Sequence, residues 1–424
     1  MRKKNGFISM TLVYTFLILF MFLMLAILRT YTEKDKFLQA INDQIDNDIG
    51  VAKGSRVTVI NKILEDNMPV GDSNIKFFKI SNGHYGNGNN LFYMEKKVYN
   101  VTNPETLPVE SQYHLNRNNA FADLTDENAD GHTSRMYYFR GDVKNNHLYF
   151  AGKCFRILRT NEDGSIRIVY NGPATGSYNN AKCKDLDDIS SSTFMIKDAD
   201  NHTNFQFNTT ASVEYISSSD SNVKSPIIDV LNDWYKKTFI PSADNSINYT
   251  DFISKNTIFC NNKTSYLDTN YYQSKELAPI FLRTNNYNIY NDANIINTVN
   301  FKCENMNDRY GVNEGNLTYP VGLLTAQDII LAGGYLDVEG DQYHGGPDGV
   351  TTNESYFLYS SVPYWTMSPI SNDGKMLYVD ASGTLKAASA TSTYAIRPVI
   401  SLNQAIVIAR GSGTANDPYI VRDY

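Results

Sequence analysis

The sequence predicts an α+β protein, with one long helix at its amino end and a large strand-rich outer part. Three observations carry this. Residues 7–28 contain no charge. The next twenty or so residues keep a helical apolar spacing, and most of the remaining chain breaks into short β-patterned runs separated by Gly, Asn and Asp turns.

The apolar run, FISMTLVYTFLILFMFLMLAIL, holds 22 residues and reaches roughly 33 Å as a helix, enough to cross a bilayer core. Ahead of it stands Met1-Arg2-Lys3-Lys4-Asn5-Gly6, a basic leader (residues 1–6) that favours the cytoplasmic side. The reading is a single-pass cell-membrane protein with a cytoplasmic amino terminus and an extracellular bulk. Residues 29–50 extend the helix as an amphipathic stem, with Phe37, Ile41, Ile45 and Ile49 on one face and Gln39, Asp43, Asp46 and Asn47 on the other.

Composition narrows the partners. Four of the 38 basic residues (Arg2, Lys3, Lys4, Arg29) flank the apolar run, where there are no acids, so the outer part carries 34 basic against 45 acidic residues, a net of −11. Phosphate recognition needs clustered Lys and Arg, so nucleic acid is excluded as a partner. Thirty Tyr and 21 Phe describe a folded, aromatic-rich domain rather than a linker.

All four cysteines, Cys154, Cys183, Cys260 and Cys303, lie beyond the apolar run with no Cys-x-x-Cys spacing. In an exported domain they read as two disulfides, for which three connectivities exist, with four buried thiols as the alternative. Sequential pairing is the expectation, each bridge contributing about 3–4 kcal/mol in the chain-entropy model.

Residues 51–130 read as a small α+β segment, with a helix near 57–64 and strands near 75–80 and 91–99. Asp126, Asn128 and Asp130 match the first half of a calcium loop, but Tyr137 stands where a bidentate Glu belongs. The same residues make a plain Asx turn. No cofactor is expected beyond this calcium alternative.

Residues 131–424 form the outer domain. Short strands are expected at 136–143, 147–151, 155–159 and 165–170, the last two joined by an Asn161-Glu162-Asp163-Gly164 turn. A helix is expected at 222–237, and a long bridged loop at 256–312. Thr325-Ala326-Gln327-Asp328 has the form of a capping box, opening a helix that Gly333-Gly334 ends. Strands are expected again near 356–359, 364–369, 376–380, 385–387 and 394–402.

Two resemblances attach to these segments. The leader and apolar run resemble the amino terminus of type IV prepilins and pseudopilins, in which a peptidase cuts after the leader Gly and the new terminal Phe is commonly methylated. That implies cleavage between Gly6 and Phe7, with prepilin peptidase and other pilin-like subunits as partners. The fifth mature position is Thr11 instead of the usual Glu, a departure shared by some minor tip pseudopilins. An uncleaved signal anchor is the other reading. Further on, Trp365-Thr366-Met367-Ser368-Pro369 and Ile396-Arg397-Pro398-Val399-Ile400-Ser401-Leu402 resemble the closing strands of the formylglycine-generating-enzyme-like branch of the C-type lectin fold, seen also in bacterial surface domains. This implies a C-type-lectin-like outer domain.

The chemistry that comes with such folds is thin here. No cysteine follows Cys303, so the paired cysteines of the formylglycine-generating type are missing, and so are the calcium-lectin triplets. Six scattered histidines show no metal-ligand spacing, and no nucleophile elbow or phosphate loop occurs. Binding or adhesion to a carbohydrate or protein ligand is therefore preferred to catalysis, with Tyr364, Trp365 and Arg397 as candidate contacts. A signal-anchored ectoenzyme is the alternative, and a ligand-free minor filament subunit a third reading. Mass and amino-terminal sequencing of the membrane-extracted protein should give a start at Phe7, with a methyl on its amine; an intact Met1 would establish the signal anchor instead.

Overall fold

In the hairpin formed by Lys153–Thr160 and Ile166–Pro173, the expected turn is present. The Asn161 N–H donates to the Ser165 carbonyl across the turn at 2.7 Å, and Gly164 takes φ +75°, a left-handed conformation that glycine adopts without strain. Around this hairpin the computed structural model describes residues 58–71, 91–97, 133–161, 164–184, 205–210, 212, 215, 224–242, 247–261, 308–334, 337–338, 343–344, 356–369 and 374–422. The leader, the apolar run, the Gly6–Phe7 junction, the stem and the Asp126/Asn128/Asp130 turn lie outside the described residues. No helix among the described residues is long and apolar enough to cross a membrane.

In chain order the elements are α1 (Val59–Asn67), β1 (Val70–Gly71), β2 (Leu91–Lys97), β3 (Thr133–Phe139), β4 (His147–Phe150), β5 (Lys153–Thr160) and β6 (Ile166–Pro173). Next come β7 (Phe205–Gln206), α2 (Ile227–Phe239), β8 (Phe259–Cys260), β9 (Arg309–Tyr310), α3 (Ala326–Ala332), β10 (Asp337–Val338) and β11 (Tyr343–His344). The last are β12 (Tyr364–Pro369), β13 (Lys375–Val379), β14 (Leu385–Ser389), β15 (Thr393–Tyr394), β16 (Val399–Leu402), β17 (Ile408–Arg410) and β18 (Tyr419–Val421). The result is a mixed α+β architecture, rich in strands and poor in helices.

Nine strands form the main sheet, ordered β1-β2-β3-β5-β4-β18-β17, with β6 also on β5 and β16 on β6. Most pairs are antiparallel, but β1 runs parallel to β2 and β18 to β4. Strand β2 pairs with β3 over seven residues, so chain on both sides of position 130 shares one sheet. Helix α1 joins the same core through Val59 and Ile63, and its ends are tied to the far end of the chain. The Val59 N–H donates to the Ile406 carbonyl, and the Tyr419 hydroxyl donates to Asp66 at 3.0 Å.

Local differences from the sequence reading have local causes. Helix α2 starts at Ile227 because Pro226 occupies its N-cap, and it runs on to Phe239. Residues 356–359 form a turn instead of a strand, closed by the Tyr359 N–H on the Tyr356 carbonyl. The region 256–312 carries the short β8–β9 pair at its two ends. Against this pair Gly322 leaves room that a side chain would take, since a Cβ there would run into the buried Phe259 ring.

The cysteine expectation is met at one bridge: Cys154 and Cys183 are joined, with Cα atoms 5.7 Å apart. Cys260 is also disulfide-bonded, and no cysteine among the described residues is free. The remaining cysteine of the chain, Cys303, lies outside the described residues.

Helix α3 is seven residues long and buried on every side, so both its ends need partners inside the protein. The expected capping box forms. Thr325 Oγ1 accepts from the Asp328 N–H, while Asp328 Oδ2 accepts from the Thr325 N–H and hydroxyl. Ser368 on β12 accepts from the Ala326 N–H. At the other end the Arg140 guanidinium donates to the Ile330 and Leu331 carbonyls, and Gly333 turns left-handed at φ +116°.

Asp328 does more than cap. Its carboxylate lies 3.1 Å from Arg159 Nε and 3.5 Å from Arg167 Nε, and all three side chains are buried. Burial pushes the Asp328 pKa up, but the Arg167 and Arg159 charges and the Thr325 N–H outweigh it and hold the value below the ordinary one. A carboxylate shifted this way stabilises the fold above its unfolded pKa of about 3.9, and the contribution is lost as pH falls through the folded value. Thermal melts are expected to decline below about pH 4, and Asp328→Asn should flatten that decline. Asp328→Ala should cost about 3–5 kcal/mol at neutral pH, because it leaves two buried guanidiniums without their shared anion.

Candidate functional site

The residues that the sequence nominates for binding are in the core. Trp365 and Tyr364 are fully buried and Arg397 is 1% exposed. The Tyr364 hydroxyl donates to the Leu358 carbonyl at 2.8 Å, and burial pushes its pKa up to about 12, so it stays a neutral donor. Arg397 lies over the Tyr364 ring at 5.2 Å and donates to the Tyr170 and Leu358 carbonyls and to Asn171 Oδ1. The Trp365 indole N–H donates to the Phe205 carbonyl at 2.7 Å. With faces and donors committed to protein, the three are core side chains, so their nomination as ligand contacts finds no support in the structure.

What Trp365 does is back a surface. Strands β12, β13 and β14 form a three-stranded antiparallel sheet in which Trp365, Tyr378 and Lys386 stand in one cross-strand row. Alternation along β13 sends Leu377 and Val379 into the core and leaves Tyr378 half-exposed on the outer face. The short β7–β15 pair brings Tyr394 over that face. The Tyr378 and Tyr394 rings stack with centroids 4.1 Å apart and 9° between planes, both half-exposed. The Trp365 ring meets Tyr394 edge-on at 4.7 Å and Tyr378 at 6.1 Å.

A polar rim adjoins the pair. Asp380 Oδ2 holds Lys386 Nζ at 3.2 Å, and Asp380 Oδ1 accepts from the backbone N–H groups and hydroxyls of Ser382 and Thr384. Burial of Asp380 raises its pKa, but these donors and Lys386 prevail and lower it, so the carboxylate stays ionised. Burial is also the main cause that raises the Tyr378 pKa, followed by the Tyr394 hydroxyl and the Asp380 charge. The arrangement is an aromatic ledge with an ion pair beside it, suited to binding. A shallow cleft elsewhere, lined by Lys255–Ile258, Gly311, Asn313 and Glu314, has no aromatic floor.

Tyr378 and Tyr394 are invisible as a pair in the sequence. Residues 375–379 (Lys-Met-Leu-Tyr-Val) do not alternate in polarity, so no local pattern points Tyr378 outward, and nothing local brings residue 394 to it. Among the described residues no cluster of three or more His, Cys, Asp or Glu is placed to hold a metal. No family model, curated protein or solved structure matches the chain.

Burial separates the two aromatic roles. Trp365→Ala should destabilise the fold by about 3–5 kcal/mol in denaturant titration. Tyr378→Ala should cost only about 1 kcal/mol, the worth of one exposed aromatic pair.

Proposed function

We propose that this chain is a membrane-anchored, pseudopilin-like surface protein, a minor tip subunit in plan, whose C-type-lectin-like head presents a ligand-binding or adhesive face. The observation that carries the binding half is the half-exposed Tyr378–Tyr394 stack, held rigid on Trp365 and rimmed by Asp380 and Lys386. Aromatic rings fixed at a surface offer large contact area with little conformational entropy to lose, and the ion pair supplies directional polar contacts. The Cys154–Cys183 bridge and the bonded Cys260 support an oxidising, outward location. The anchor and stem rest on residues 1–50, as read from sequence; prepilin peptidase and neighbouring pilin-like subunits are the partners that reading requires. The ligand class is carbohydrate or protein.

The test is display of the full-length protein, held in detergent, on glycan and protein arrays with calcium and with chelator. Binding is expected, and Tyr394→Ala should weaken it about tenfold, near 1.4 kcal/mol. Absence of binding under both conditions, or binding indifferent to the Tyr378→Ala/Tyr394→Ala double change, would overturn the proposal.

A further inference from the structure

The Tyr378–Tyr394 stack has a second chemical property, independent of any ligand. Two phenol rings 4.1 Å apart and 9° from parallel set ring carbons of one directly against ring carbons of the other. With the rings face to face at this distance, the carbons ortho to each oxygen lie against the other ring. Those carbons carry much of the unpaired spin when a phenol loses a hydrogen atom. Both rings are half-exposed and within reach of an oxidant in solution. Each is also fixed by backbone pairing, Tyr378 between β12 and β14 and Tyr394 against β7.

We propose that Tyr378 and Tyr394 are a site of oxidative cross-linking, joined as dityrosine by a peroxide-driven one-electron oxidant of the haem-peroxidase class. Each phenol gives up one electron and one proton. The two phenoxyl radicals couple to form one carbon–carbon bond between ortho positions. The hydrogens on the bonded carbons then move to the oxygens, restoring both phenols. One hydrogen peroxide takes up the two electrons and two protons released and leaves as two waters. The product ties β13 to β15 covalently and fixes the β7–β15 flap over Trp365.

Other tyrosine pairs among the described residues lack one requirement or another. Tyr93–Tyr137, Tyr149–Tyr178 and Tyr215–Tyr310 meet at 57°, 70° and 76°, so their ring faces do not oppose. Tyr235–Tyr319 is stacked at 4.8 Å and 15°, but Tyr235 is 2% exposed. It serves as an internal control of similar geometry and poorer access.

The experiment treats the full-length protein with hydrogen peroxide and a peroxidase, then digests it with trypsin. Tyr378 and Tyr394 fall on separate peptides, residues 376–386 and 387–410, because the Arg397–Pro398 bond resists cleavage. Mass spectrometry should find these two joined and two hydrogens lighter than their sum, with the blue fluorescence of dityrosine. Proximity in the fold should enrich this product about tenfold or more over the same chain oxidised in urea. Tyr378→Phe or Tyr394→Phe, either of which keeps the ring stack, should abolish it, and Tyr235→Phe should leave it unchanged. Equal yield in folded and unfolded chain, or dityrosine found in other peptides while 376–386 and 387–410 remain separate, would overturn the proposal.

Discussion

The carboxylate of Asp328 sits where four parts of the protein meet. One oxygen and the Thr325 side chain close the first turn of α3, while Arg159 and Arg167 reach the same group from the two arms of the β5–β6 hairpin. Asn161 extends the network, accepting from Arg159 and donating to Ser165 and to Ser401 on β16. A short helix with no exposed face and a hairpin with cations on it are each unstable in apolar surroundings, because each carries groups that need partners. One anion answers both needs. An ion pair of this kind adds little over a well-packed apolar core, but it fixes which helix lies on which hairpin.

The same logic extends through the interior. Arg140 serves the α3 carbonyls, Arg156 binds Asn146 and the Val143 carbonyl beneath the Phe357 ring, and Arg397 covers Tyr364. Guanidinium groups suit this role because their flat, weakly hydrated faces stack on rings while their edges donate to carbonyls.

How much of this could be read from the sequence depended on the range of the interaction. The Asn161–Gly164 turn, the Thr325/Asp328 capping box and the Gly333 stop are determined within a few residues, and each forms where the pattern places it. Arg156 and Arg159 stand three apart on β5, so two-residue alternation does not put both on one outward face. They are buried because Asp328, 169 residues beyond Arg159, and Asn146 compensate them, and no local pattern announces such a partner. The candidate site fails for the same reason. Trp365 and Tyr364 have the right chemistry for a ligand, but β7, at residues 205–206, covers Trp365 and takes its indole N–H. The exposed aromatic role passes to Tyr378 and Tyr394, which the register of β13 and β15 brings together.

The path of the main sheet bears on how this protein reaches its folded state. Strand β18, near residue 420, lies between β4 and β17, and its Tyr419 contacts Asp66 across 353 residues of chain. A chain emerging amino end first therefore lacks a central strand, and α1 lacks its docking surface, until almost all of it is available. Closure of so distant a loop is slow compared with forming any one hairpin. The order of the strands thus bears on the order of folding: the β4–β18–β17 part of the sheet closes only once residues 419–421 are available.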